Sequence, residues 1–87
     1  MTPTRVHFAI VEVFDIASRG GLLVVGHLTS GVIHQGMTLS NEANNRTARV
    51  IAIEFLTGTH EPDRRTLVID RADAAAIEPG ATLVTTN

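Results

Sequence analysis

The feature that most constrains this fold is the short length of the apolar segments. Apolar residues do not recur at helical spacing, and they form six short runs rich in Val, Ile, Leu and Thr. Gly, Asn, Pro and charged residues separate the runs, a pattern typical of strands joined by turns. The predicted strands are residues 5–14, 21–29, 36–41, 47–56, 65–70 and 81–86.

The segments between these runs carry turn signals. Residues 15–20 and 30–36 end in glycine, and residues 42–46 form a polar hairpin tip whose asparagines tolerate a left-handed backbone. Residues 57–64 are predicted to be a loop. Residues 72–80 are predicted to hold one helical turn, with Asp73 as its N-cap. We identify no internal repeat, and we expect residues 1–87 to form a single domain.

Six strands without crossover helices must pair antiparallel. An open sheet of this size leaves two edges, whereas closure into a barrel removes them. Gly26, inside the run LLVVGHL, is expected where a strand coils sharply. The predicted fold class is therefore all-β, a single closed six-stranded antiparallel barrel. The glycines expected to be structural are Gly20, Gly26, Gly31, Gly36 and Gly80.

Several function classes are excluded by what the 87 residues lack. There is no cysteine, which excludes disulfides, thiolate zinc sites and a cysteine nucleophile. Gly20 and Gly21 lead into a strand without a lysine, so they do not form a phosphate-binding loop. No apolar run approaches the ~20 residues that span a bilayer. We therefore expect a cytoplasmic protein that binds no membrane.

The charge pattern disfavours nonspecific nucleic-acid binding, because the formal net charge is -2. All seven basic residues are arginines. Arg46 and Arg49 flank the hairpin tip, and Arg64 and Arg65 begin the fifth strand, so these four form a candidate basic patch. A mixed, solvated surface is the default interpretation of these arginines. The acids that favour it are Glu42, Glu61 and Asp63.

No catalytic or metal-binding pattern stands out. The histidines have no ligand spacing, so no metal or other cofactor is expected; they are His7, His27, His34 and His60. Ser30, His34 and Asp15 include the residue types of a hydrolase triad, but the sequence gives them no supporting geometry. We therefore predict that the chain is not an enzyme.

Residues 11–39, VEVFDIASRGGLLVVGHLTSGVIHQGMTL, resemble the second domain of the translational GTPases, above all elongation factor Tu. The matching positions are Val13, Phe14, Ile16, Arg19, Gly20, Gly26, Ser30, Gly31, Ile33 and Gly36. RVIAIEF (49–55) and AIEPGATL (76–83) resemble later strands of that domain. The resemblance implies a Greek-key barrel. Because the motif GxxxxGK[ST] is absent, this chain is not expected to bind GTP.

In that family the second domain helps to hold the aminoacylated 3′ end of tRNA. The resemblance therefore implies a ligand or RNA-end pocket formed by Glu12, Val13, Phe14 and Glu54. Phe14 would stack on a base and Glu54 would accept a hydrogen bond. Thr57 stands where the family has a basic residue.

Each of these two residues also has a simpler interpretation. By strand alternation Phe14 shares a face with Phe8 and Ile10, which predicts a core or rim position. Glu54 is alternatively an exposed acid at a strand end. The three-residue spacing from Val50 to Ile53 suggests a β-bulge, which re-aims side chains.

The chain is thus expected to be a non-catalytic binding module. We favour a protein-interaction barrel, because the composition lacks the basic and aromatic surface of an RNA binder. The alternative is an accessory translation module that binds an aminoacyl-tRNA 3′ end or ribosomal RNA. Exposed apolar area would favour a protein partner, and a continuous arginine stripe would favour RNA.

Overall fold

The computed structural model describes residues 5–16, 20–54 and 63–85. Its elements are β1 (His7–Ile16), β2 (Gly21–Ser30), β3 (Thr38–Asn41), β4 (Thr47–Glu54), β5 (Arg64–Ile69), a 3₁₀ helix (Arg71–Ala76) and β6 (Thr82–Thr85). The six strands close into a barrel in the order β1-β2-β5-β4-β3-β6, and all neighbours are antiparallel. The predicted fold class is confirmed. Among the described residues, no helix has the length and apolarity to cross a membrane.

The predicted helical turn exists, but its N-cap is Asp70 and not Asp73. The chain turns as soon as β5 ends at Ile69, so the carboxylate of Asp70 accepts the Ala72 N–H at 2.9 Å. Asp73 lies inside the helix, where its carboxylate accepts the backbone N–H of Arg49 at 3.0 Å. Most of the loop predicted at 57–64 lies outside the described residues, as do the last two residues predicted for β4.

The two halves of the barrel are related by a pseudo-two-fold axis. The axis exchanges β1 with β4, β2 with β5 and β3 with β6, and it passes through two strand pairs, Val24–Leu67 and Ser40–Val84. The strand pairings are consistent with this axis. For example, the axis relates the pair Phe8–Leu83 of β1 and β6 to the pair Ala48–Leu39 of β4 and β3. The expectation of a chain without internal repeats is therefore wrong.

A sequence repeat accompanies this symmetry. IHQGMTL (33–39) and IEPGATL (77–83) share the pattern I-x-x-G-x-T-L, 44 residues apart. Ile33 and Ile77 are both buried in the core. The repeat escapes an analysis by apolar runs because half of its shared residues lie in the loops that lead into β3 and β6. Of the glycines predicted to be structural, all except Gly26 have positive φ.

Gly26 lies where β2 passes close to the backbone of β1. A Cβ atom at this position would lie 2.2 Å from the carbonyl oxygen of Ala9 and 2.9 Å from Cζ of Phe8. Phe8 is fully buried and packs with the apolar side chains that fill the barrel. This contact between β1 and β2 leaves no room for a side chain at position 26.

Two β-bulges occupy symmetric positions. β4 has an extra residue, Ile51, between two residues paired to β5, which confirms the bulge predicted in this strand. β1 has the equivalent extra residue, Val11, in its pairing with β2. This second bulge reverses the alternation of β1. Val13 consequently packs against the core and Phe14 is 45% exposed, so the expectation that Phe14 shares a face with Phe8 is wrong.

Candidate functional site

The candidate site lies on the outer face of the sheet formed by β1, β2, β5 and β4. The register aligns two rows of residues across these strands. One row is Phe14, Leu23, Val68 and Ala52, and the other is Glu12, Val25, Thr66 and Glu54. The intervening row contains Val24 and Leu67, which are fully buried inside the barrel. Both flanking rows therefore face outward.

The first of these rows is entirely apolar, although the outer side of a small antiparallel barrel usually faces water with polar residues. We call Phe14, Leu23, Val68, Ala52 and the neighbouring Ile51 the outer apolar strip. Phe14 and Ile51 are the exposed ends of the strip, at 45% and 37% exposure. Leu23 and Ala52 are half-buried, and Val68 is buried. Large exposed side chains thus border a partly sheltered apolar surface.

The residues predicted to form an RNA-end pocket do not all lie on the same side of the barrel wall. Glu12 and Phe14 lie on the outer face, one on each of the two rows, whereas Val13 points inward. Glu54 shares the row of Glu12, but β2 and β5 lie between their strands. Three strand spacings correspond to about 14 Å. The structure therefore places three of the four residues on one face and does not enclose them in one pocket.

The four arginines of the candidate basic patch lie at opposite ends of the barrel. Arg49 adjoins the end of β5, since its carbonyl accepts the N–H of Asp70 and its own N–H donates to the carboxylate of Asp73. Arg46 lies beside it at the hairpin tip. Arg64 and Arg65 begin β5, about 20 Å away at ~3.3 Å per residue. Arg65 also lines a cavity at the end of the barrel, unlike Arg64. These four arginines therefore do not form a continuous stripe.

The residues considered for a hydrolase triad are not together either. Ser30 pairs with His7 at one end of the β1–β2 hairpin, and Asp15 pairs with Leu22 near the other end. The carboxylate of Asp15 accepts hydrogen bonds from the side chain of Arg71, the shorter at 2.6 Å. A Ser30–His34–Asp15 site is therefore not formed.

Ser30 contacts His7, a histidine that the sequence analysis did not group with it. Oγ of Ser30 lies 2.9 Å from Nδ1 of His7 and donates its hydrogen to the carbonyl of Arg5 at 2.8 Å. A hydroxyl has one hydrogen, so Nδ1–H of His7 must be the donor in the other bond. An activated serine requires the opposite polarity, with the histidine accepting the hydroxyl proton. The pair is thus arranged to fasten β1 to β2.

The remaining histidines are dispersed. Nδ1 of His27 lies 3.4 Å from Oδ2 of Asp63, and His34 is exposed in the loop before β3. His60 lies outside the described residues. Across 5–16, 20–54 and 63–85, no group of three or more His, Cys, Asp or Glu side chains could hold a metal ion.

Comparisons with known proteins do not place the chain in a family. No protein-family model matches it, no curated protein matches it, and no solved structure matches its fold. The outer apolar strip is therefore interpreted below from its own geometry and chemistry.

Proposed function

We propose that the barrel is a non-catalytic protein-interaction module whose partner docks on the outer apolar strip. The supporting observation is the exposure of Phe14 and Ile51 on either side of half-buried Leu23 and Ala52. Exposed apolar side chains that border an apolar surface favour docking of a partner, because their burial in the interface is favourable. An aromatic side chain beside a sheltered apolar surface is also a frequent anchor of protein interfaces.

The chemistry around the strip favours a protein over RNA. The neighbouring row has a carboxylate on each of its end residues, Glu12 and Glu54, and carboxylates repel phosphates. Phe14 is the only exposed aromatic residue in the described part of the chain, whereas single-strand binders stack bases on several. The separation of the arginines further weakens the case for RNA.

The barrel also has a proposed topology and a proposed location in the cell. We propose a Greek-key barrel of the kind found in the second domain of translational GTPases, in a cytoplasmic protein. The order of strands supports the Greek-key description, because β3 follows β2 in sequence but lies between β4 and β6. The ordered matches from Val13 to Gly36 support the resemblance.

The partner can be sought with a matched pair of variants. Immobilised wild-type barrel, Phe14→Ser and Val32→Ser are exposed to an extract of the source cells, and the retained proteins are identified. Val32 is the matched control, because it is 62% exposed and lies in the loop before β3, away from the strip. We expect a protein that wild type and Val32→Ser retain and Phe14→Ser loses. Equal retention by all three would place the interaction elsewhere.

The alternative function is an accessory translation module that binds an aminoacyl-tRNA 3′ end or ribosomal RNA. It is favoured by the placement of Glu12, Phe14 and Glu54 on one outer face. Titration of labelled protein with a short aminoacylated CCA-ended RNA, at two salt concentrations, tests it by NMR. Salt-sensitive shifts centred on these three residues would support it. A flat titration to roughly millimolar RNA, weaker than ordinary nonspecific binding, would exclude it.

A further inference from the structure

β1 is covered by its neighbour β6 along only part of its length. It has ten residues, and β6 pairs with the first three of them. Ile10 then donates its N–H to the carbonyl of Ala81 at 2.9 Å and accepts the N–H of Gly80 at 2.8 Å. Among residues 5–16, 20–54 and 63–85, no further backbone hydrogen bond reaches this side of β1. We call residues 11–15, which pair with β2 on their other side, the free edge of β1.

The backbone of Val13 points toward the free edge. Along a strand, the face of the side chain and the direction of the backbone hydrogen bonds alternate together. Ile10 has a buried side chain and bonds to the β6 side, and the bulge at Val11 moves the next inward side chain to Val13. The N–H and C=O of Val13 therefore point away from β2. Strand edges of this kind are templates for pairing with another extended segment.

The outer face beside the free edge combines apolar and acidic side chains. Val11 and Phe14, at 48% and 45% exposure, are two of the four exposed large apolar side chains in the described part of the chain. Glu12 lies between them in sequence, and Glu78 lies in the loop that leads into β6; both are exposed. The free edge thus combines backbone hydrogen-bonding groups, apolar side chains and negative charge.

We propose that a partner protein adds an extended strand of alternating basic and apolar residues to the free edge of β1. This inference rests on the proposed function, because Phe14 belongs to both the free edge and the outer apolar strip. In an antiparallel addition, the partner's residues opposite Glu12 and Phe14 lie on the outer face. A lysine or arginine is expected opposite Glu12, and an aliphatic residue opposite Phe14. The hydrogen bonds exchanged with Val13 give affinity, and the side chains give specificity.

The acidic residues favour a basic partner over a second copy of this chain. Two copies joined edge to edge would bring the carboxylates of Glu12 and Asp15 from both β1 strands into one sheet, and like charges destabilise such pairing. Asp15 is ion-paired with Arg71 at 2.6 Å, so this arginine already has a carboxylate partner in its own chain. A basic strand from another protein instead supplies the opposite charge.

A synthetic peptide tests the strand addition. The probe is the acetylated and amidated peptide TITKVT, designed to place its lysine opposite Glu12 and its isoleucine opposite Phe14. Binding to isotope-labelled barrel is followed by NMR. We expect shifts centred on the amides of residues 11–15 and slower hydrogen exchange of the Val13 N–H. Replacing the peptide's lysine with glutamate should weaken binding about tenfold or more.

N-methylated peptides separate backbone pairing from apolar contact alone. The N–H of the third peptide residue faces the Val13 carbonyl, whereas that of the second residue points away from β1. Methylation of the third nitrogen should reduce affinity about tenfold or more, and methylation of the second should leave it unchanged. Equal affinity of the two methylated peptides, or no shift of the Val13 amide at about 2 mM peptide, would overturn the proposal.

This proposal and the proposed function fail in different ways. If Phe14→Ser loses an extract protein that Val32→Ser retains, but the two methylated peptides bind alike, the strand addition is wrong and the interaction module stands. If the peptide pairs with Val13 as expected, but wild type and both variants retain the same extract proteins, the outer apolar strip is not the docking site. Circular dichroism confirms that both variants are folded.

Discussion

Gly36 and Gly80 are equivalent residues in the two halves of the barrel. Their φ angles are 88° and 90°, and each donates its N–H to a strand carbonyl across the barrel wall. Gly36 bonds to Val50 at 2.7 Å and Gly80 bonds to Ile10 at 2.8 Å. The acceptors are also equivalent under the pseudo-two-fold axis, because each is the last paired residue before a β-bulge. The turn into β3 is therefore a structural copy of the turn into β6.

This equivalence predicts equal costs for two substitutions. Gly36→Ala and Gly80→Ala should each reduce the free energy of unfolding by about 1–2 kcal/mol, because an L-residue is strained at positive φ. Nothing lies within 4 Å of either added Cβ, so backbone strain is the whole expected cost. Urea unfolding measures both, with exposed Gln35→Ala as the control. A severe loss at one glycine and none at the other would contradict the symmetry of the two turns.

Gly26→Ala should be more damaging. Its Cβ would overlap the carbonyl oxygen of Ala9 at 2.2 Å, and backbone cannot move aside as a flexible side chain can. We expect a loss of about 3 kcal/mol or more. Gly20→Ala is the matched control, because its φ is positive and its surroundings are open. If thermal unfolding shows no larger loss for Gly26→Ala than for Gly20→Ala, the close contact of β1 and β2 is not a constraint.

The number of strands and their positions along the chain could be predicted from the sequence because each strand is a short β-branched run between turn residues. The bulge in β4 was also predictable, since Val50 and Ile53 break the two-residue period. The repeat I-x-x-G-x-T-L could also be found in the sequence, but only by comparing each strand together with the loop that precedes it. It would have predicted that Gly36 and Gly80 have the same role.

The candidate site was harder to predict because it depends on the β-bulge at Val11, which the residue pattern of β1 does not indicate. VHFAIVEVF alternates well enough to be read as a regular strand, in which Phe14 would face the core with Phe8. The extra residue in β1 becomes evident only from its pairing with β2. The distance between the arginines likewise follows from the strand order. Arg64 and Arg65 are adjacent in sequence, but their side chains have different surroundings because successive side chains of a strand point to opposite faces of the sheet.

Asn41 is expected to anchor the 3₁₀ helix. It is 1% exposed, and its Nδ2 donates to the carbonyl of Ala76 at 2.9 Å, while its Oδ1 accepts the N–H of Ala43. Asn41→Asp keeps the acceptor and removes the donor. We expect a loss of about 1–3 kcal/mol, because the Ala76 carbonyl loses its partner and a carboxyl group is buried.

Hydrogen exchange separates this local effect from general destabilisation. The Ile77 N–H, which bonds to Ala74 at the end of the helix, should exchange faster relative to the Leu67 N–H in Asn41→Asp. The exposed variant Asn45→Gly, at a position with φ of 61°, serves as the control and should change neither rate appreciably. Uniform acceleration of both amides would show that Asn41 supports the whole barrel and not the helix in particular.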